Sequence, residues 1–164
     1  MLFRSLLFDP TDDALTIRWA YGLTRQEQRR GRFKPGEGIT GRVFLTRETA
    51  VIQDIDAEPL FLCRTVAREQ LPRETVAYIA LPIVTDGKAV GVLGVHRLRR
   101  RDRAIADDLN MLRMVATLIG QVLQINRLAA TRTAALREEN RELRRALDKD
   151  AALVAHAEIG RAHV

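Results

Sequence analysis

Arg64 and Thr65 follow the apolar run Pro59-Leu60-Phe61-Leu62-Cys63, and together they offer the donors that a small carboxylate needs. A guanidinium presents a planar fork that grips a carboxylate through two parallel N–H···O bonds, and a neighbouring hydroxyl adds another donor. Arg42, within Gly38-Ile39-Thr40-Gly41-Arg42-Val43, is a second anion candidate, although an arginine there more often faces water. Tyr78 and His96 sit in two β-rich runs, 75–84 and 89–98, from which they would line a pocket. A lone strand histidine is more often a satisfied structural residue. Cys63, beside Arg64, has a redox reading through a lowered thiol pKa and a plainer one as a small core or pocket residue. Gly36, Gly38 and Gly41 suggest a phosphate nest, but glycine spacing alone is a weak signal outside a nucleotide fold. The remaining residues offer no Ser–His–Asp set or paired carboxylates, so no enzyme is expected, and no cofactor.

Positioning such a site takes a sheet. Residues 2–9 (LFRSLLFD) read as a strand ended by the turn-rich DPTDD. Leu15, Ile17, Trp19 and Tyr21 then alternate with polar or small residues, which predicts a second strand with these four on one buried face. Residues 24–33 read as a short exposed helix, 34–48 as a glycine-rich turn and short helix, 50–55 as a third strand, and 58–72 as irregular. The runs 75–84 and 89–98 meet at Asp86-Gly87, a strong hairpin signal. Two hairpins with helices between them predict an α+β domain around an antiparallel sheet of about five strands.

Composition narrows the function classes. The 164 residues are 46% hydrophobic, which suits one globular domain with an appendage. A single cysteine excludes a disulfide framework, and with only three histidines no metal site is expected. No apolar run is long enough for a membrane span, so a cytoplasmic protein without membrane contact is expected. The net charge of +6 comes mainly from arginine, 24 of 27 basic residues. These arginines are scattered apart from the run 97–103, so solvated surface is favoured over nucleic-acid binding.

From Ile105 the pattern turns helical. Leu112, Ile119, Asn126, Thr133, Asn140 and Leu147 fall at heptad position a, with Val115, Val122, Ala129, Leu136 and Leu143 at d. Five heptads exceed what one packing helix needs, and 136–147 is too polar for a core. The expectation is a helix over 105–148 whose first half packs on the sheet. Its length forms a parallel two-stranded seam, with Leu112, Ile119, Asn126, Leu136, Asn140, Leu143 and Leu147 as dimerisation residues.

GEGITGRVFLTRETAVIQDI, EPLFLCRT and YIALPIVTDGKAVGVLGVHRL resemble GAF domains. More narrowly, they resemble the amino-terminal GAF domains of NifA-type regulators, the sigma-54-dependent activators of nitrogen-fixation genes. The resemblance spans roughly residues 2–150. It implies a regulatory GAF domain over 2–103, a signalling helix over 104–150 and a tail over 151–164. It also implies a pocket between sheet and loops for a small anion such as 2-oxoglutarate, or a docking surface for a PII-type or inhibitory protein. DNA and the sigma-54 polymerase would be reached only through domains this chain lacks, since neither a Walker motif nor a GAFTGA loop occurs. A ligand-sensing GAF domain of another signalling protein, such as a histidine kinase, is the alternative; a basic-zipper DNA binder is a weaker one. Ile159–Val164 equals the translation of a common sequencing-library adapter, and the family's first helix would precede residue 2. A gene fragment is therefore expected, with part of one sheet face left uncovered.

Overall fold

The computed structural model describes residues 2–72, 74, 76–98 and 105–161, apart from the side chains of 154–161. The arginines at 99–101 and 103, and His163 with its two neighbours, lie outside these residues. There are two compact units, Met1–Leu123 and Gln124–Val164.

The first unit is built on one antiparallel sheet of six strands: β1 (Leu2–Asp9), β2 (Ala14–Tyr21), β3 (Arg32–Phe33), β4 (Ala50–Ile52), β5 (Val76–Thr85) and β6 (Lys88–Leu98). Their spatial order is β3-β2-β1-β6-β5-β4. Helices α1 (Arg25–Arg30) and α2 (Gly38–Thr46) lie between β2 and β4 in sequence, and α3 (Ile105–Arg161) follows β6. The α+β reading holds, with six strands where the sequence predicts about five. The additional strand is β3, too short to show a period-two pattern; its buried Phe33 pairs with Leu15 of β2. The β5–β6 hairpin turns at Asp86 and Gly87, both at positive φ (49° and 72°), as a two-residue primed turn requires.

Side-chain parity on β1 and β6 sorts the sheet into two faces. Leu6, Leu15, Tyr78, Ala80 and Val92 join Ile39 and Val43 of α2 and Ile55, Val66 and Leu71 of the connection 53–72 in one core. On the other face, Ile79, Leu81, Ile83, Leu93 and Val95 pack against Leu112 and Ala116 of α3, with Val115, Ile119 and Leu123 alongside. Gly120 marks the close approach: a Cβ there would lie 2.6 Å from the Val84 carbonyl oxygen. That contact explains a glycine in a helix interior, where it otherwise costs about 1 kcal/mol.

Two sequence expectations are corrected here. Ser5 pairs with Trp19 but Leu6 pairs with Ile17, so Arg18 is an extra residue in β2. The bulge flips the strand. Leu15 and Ile17 face the loop-covered core, whereas Trp19 and Tyr21 share the opposite face with their partners Ser5 and Phe3 and are exposed (55% and 75%). An uncovered aromatic patch thus lies on the α3 side of the sheet. Second, Leu112 is buried in the domain's own core, which removes it from the dimer seam, and Ile119 is partly buried against that core. A helix lying on a sheet buries residues three and four apart just as a two-stranded seam does, so the heptad pattern cannot separate the two. The apolar residues exposed on this stretch are Met111, Met114, Leu118 and Val122.

The second unit is helical from Gln124 through Arg161, past the limit of 148 drawn from the heptads. Residues 149–158 are mostly alanine and other good helix formers, which accounts for the extension. Leu136, Leu143 and Leu147 are exposed, and a shallow groove is lined by Thr133, Leu136, Arg137, Asn140, Arg141 and Arg144. Among the described residues, no helix is long and apolar enough to cross a membrane.

Candidate functional site

Tyr78 of β5 and His96 of β6 face each other directly across the sheet, with ring centroids 4.9 Å apart. Both are buried. Phe61, from the connection 53–72, sets its ring edge-on to both, at 5.0 Å from Tyr78 and 5.6 Å from His96. Thr40 of α2 places its hydroxyl 3.3 Å from the Tyr78 hydroxyl. The Tyr78 hydroxyl lies over Gly94, where a Cβ would come within 2.4 Å of it, so glycine is what lets the phenol lie there.

The partner of Gly94 on β1 is Arg4. Its Nη2 donates to the Tyr78 hydroxyl at 3.2 Å, and its guanidinium carbon lies 5.1 Å from the centre of the Tyr78 ring. Arg4 is 3% exposed, and its Nε has no hydrogen-bond partner among the described residues. No carboxylate of the described residues forms an ion pair with it. An uncompensated buried charge costs several kcal/mol. Burial, and secondarily the Arg4 charge, push the His96 imidazole down to about 3, so it stays neutral near pH 7.

The connection that covers this cluster is latched at its surface. Arg64 donates from Nη1 to the Arg32 carbonyl at 2.6 Å and from Nη2 to Glu37 Oε1 at 2.5 Å, and it lies over the Phe33 ring. The Arg64 bond, followed by the Lys34 amide, holds the Glu37 carboxyl below the usual carboxylate range. Arg68 grips Asp56 through two bonds, at 2.6 and 2.7 Å, and donates to the Pro72 carbonyl. Arg64 therefore has a carboxylate of its own, and the fork read from sequence as an anion contact is occupied by Glu37. Thr65 is buried and its Oγ1 has no partner. Arg42 is exposed on α2. Burial, then Asp56, push the Cys63 thiol up, opposite to the shift a reactive thiol needs. The glycine-rich turn is closed on itself: Gly36 N–H donates to the Gly41 carbonyl and Gly41 N–H to the Glu37 carbonyl, both at 2.9 Å, so these amides are not free for a phosphate. A cavity of about 40 Å³ lies beside His96, between Leu2, Leu71, Pro72 and Val76.

The structure thus brings Tyr78 and His96 together and adds Arg4, Thr40 and Phe61, which the sequence reading did not single out. Arg4 had a signal: it shares strand parity with Leu2, Leu6 and Phe8, so the buried face of β1 carries a cation. On the other face the next residue of β6, Arg97, forms a buried ion pair with Asp108 in the first turn of α3. Adjacent β6 residues therefore touch the covered cluster and the long helix.

This arrangement, a six-stranded antiparallel sheet with a covered polar cluster on one face and the terminal helix on the other, has clear relatives. The sequence profile of the GAF domain matches residues 2–123. The chain belongs to the GAF domain family. The GAF domain of A. aeolicus nlh2 in an inactive state superposes with a TM-score of 0.67 at 23% identity, covering 76% of this chain and 74% of that one. The free methionine-R-sulfoxide reductase of Neisseria meningitidis shares the fold with a TM-score of 0.61 at 22% identity, covering 78% and 70%. By sequence, this GAF domain is 39% identical to the Nif-specific regulatory protein of Herbaspirillum seropedicae over 129 residues, 78% of this chain and 24% of that protein. It is 32% identical to the nitrogen fixation protein AnfA of Azotobacter vinelandii over 142 residues, 86% of this chain and 26% of that protein. The chain spans about a quarter of the length of these regulators.

Proposed function

We propose that this GAF domain is the sensory input of a nitrogen-fixation activator and works without catalysis. It binds a small organic anion of the 2-oxoglutarate kind beneath the connection 53–72. It passes the occupied state through β6 to α3, and from there to the activator's sigma-54-dependent ATPase domain. The single observation carrying the reading is the placement of His96 and Arg97: consecutive residues of one strand, one in the covered cluster and one paired with Asp108 of α3. The kinship with Nif-specific regulators favours this output over that of a histidine kinase. In this reading Tyr78, His96 and Thr65 line the ligand, the Arg64 latch must release to admit it, and Arg42, exposed on α2, is a second anion contact. The α3 helices of two copies pair in parallel through Asn126, Leu136, Asn140, Leu143 and Leu147. A buried asparagine at position a fixes that register at a cost in stability, and a marginal seam exchanges between states with little differential binding.

Docking of a PII-type or inhibitory protein is the second reading, favoured by the exposed Trp19 and Tyr21. Calorimetry separates them. Saturable heat on adding 2-oxoglutarate to the chain is the expected result. Heat only on adding a PII-type protein would move the function to the surface.

A further inference from the structure

We propose that Arg4 is the receptor for one buried carboxylate, so that the ligand is a small carboxylic acid supplying the counter-charge this cluster lacks. The proposal rests on the sensory reading above and gives it a contact atom by atom. Arg4 differs from the other arginines anchored in this domain. Arg97 pairs with Asp108, Arg64 with Glu37 and Arg68 with Asp56. Arg4 is as buried as Arg97, yet its side chain meets the phenol of Tyr78, which in turn touches Thr40, Phe61 and His96, and its charge also reaches His96 and the Cys63 thiol. None of these is a carboxylate, and the imidazole is held neutral by burial.

The open hydrogen-bonding edge sets the ligand class. Nε, unpartnered and buried, and an adjacent Nη form the side of a guanidinium that takes a carboxylate through two parallel bonds. The hydroxyls of Tyr78 and Thr40 form a short chain beside it and suit a second oxygen of the ligand, such as a 2-oxo or 2-hydroxy group. One cation accommodates one buried carboxylate; a second acid group on the same ligand must stay near solvent. The small space beside His96, about 40 Å³, is lined by Leu2, Leu71, Pro72, Val76, Arg97 and Leu98 and not by Arg4, so the acid reaches Arg4 as Phe61 and its connection move outward. The Arg64–Glu37 pair ties that connection to the start of α2, and the Arg68–Asp56 pair braces the connection internally.

The test titrates pyruvate and, separately, 2-oxoglutarate into the unsubstituted chain and into Arg4→Gln, Arg4→Lys and Arg18→Ala. At least one acid should bind. Arg4→Gln should weaken its binding by at least roughly tenfold, Arg4→Lys should recover part of the loss, and Arg18→Ala should bind like the parent. Arg4→Gln alone is open to a folding defect. The Arg4 Nε–H resonance of the unsubstituted chain, assigned from its loss in Arg4→Lys, is therefore followed as well. It should shift with the acid and stay put with equal sodium chloride. Equal affinity in Arg4→Gln, with an unmoved Nε–H signal, overturns the role of Arg4 and leaves the sensory reading standing. No binding of either acid to the unsubstituted chain overturns the Arg4 proposal together with the small-anion reading.

Discussion

Asp108→Ala should lower the unfolding free energy by about 3–5 kcal/mol, the usual loss when one partner of a buried ion pair is removed. Asp108 and Arg97 are 3% and 7% exposed, so the substitution takes from a buried guanidinium the carboxylate it pairs with. Replacing both, as Arg97→Met with Asp108→Leu, should recover most of the loss, because neither charge is then desolvated. Urea unfolding of the single and the double variant checks this. A single-variant loss under about 1 kcal/mol would mean that the pair is not closed in solution, and with it would go the connection between β6 and the first turn of α3.

His96 gives the second large effect, on acid sensitivity. Its imidazole is held down to about 3, against 6.5 when free of the fold. Between those values the unfolded chain binds a proton that the folded chain refuses, so stability falls as the pH drops below about 6.5. The slope is about 1.4 kcal/mol per pH unit, or about 2 kcal/mol between pH 6.5 and 5. Glu27, Glu37, Asp9 and Asp56 have lowered pKa values, so their contributions are present above the ordinary carboxylate range and fade only below it. The window from 6.5 to 5 therefore belongs to the histidine. His96→Gln should flatten stability across it in denaturant titrations at fixed pH. An unchanged slope would place the imidazole in contact with water and open the covered cluster.

Much of the scaffold was legible because local chemistry and fold agree. Asp86-Gly87 names its hairpin, the β-rich runs name β1, β5 and β6, and the period-two run names β2. What stayed hidden depended on partners. The extra residue at Arg18 cannot be seen in an alternating string, yet it moves Trp19 and Tyr21 to the other face. Helical spacing placed Leu112 and Ile119 correctly on one stripe and could not say whether a sheet or a second helix covers it. In the candidate site, Tyr78 and His96 were found because they sit in β-rich runs that had to form the middle of the sheet. Arg64 was singled out for its free fork, but the fork is filled by Glu37, 27 positions away in sequence. Arg4 was passed over because a single arginine in an apolar strand reads as an interruption until its neighbours prove neutral.

The central claim is that this domain gives a nitrogen-fixation activator its input. The direct measurement replaces the matching segment of the Herbaspirillum seropedicae Nif-specific regulatory protein with residues 2–123 of this chain. Transcription from a nif promoter is then followed with and without fixed nitrogen. Output should change with nitrogen supply, and His96→Gln or Asp108→Ala in the same chimera should reduce that change. Output that is equal under both conditions, and equal to that of the regulator with the segment deleted, would contradict it.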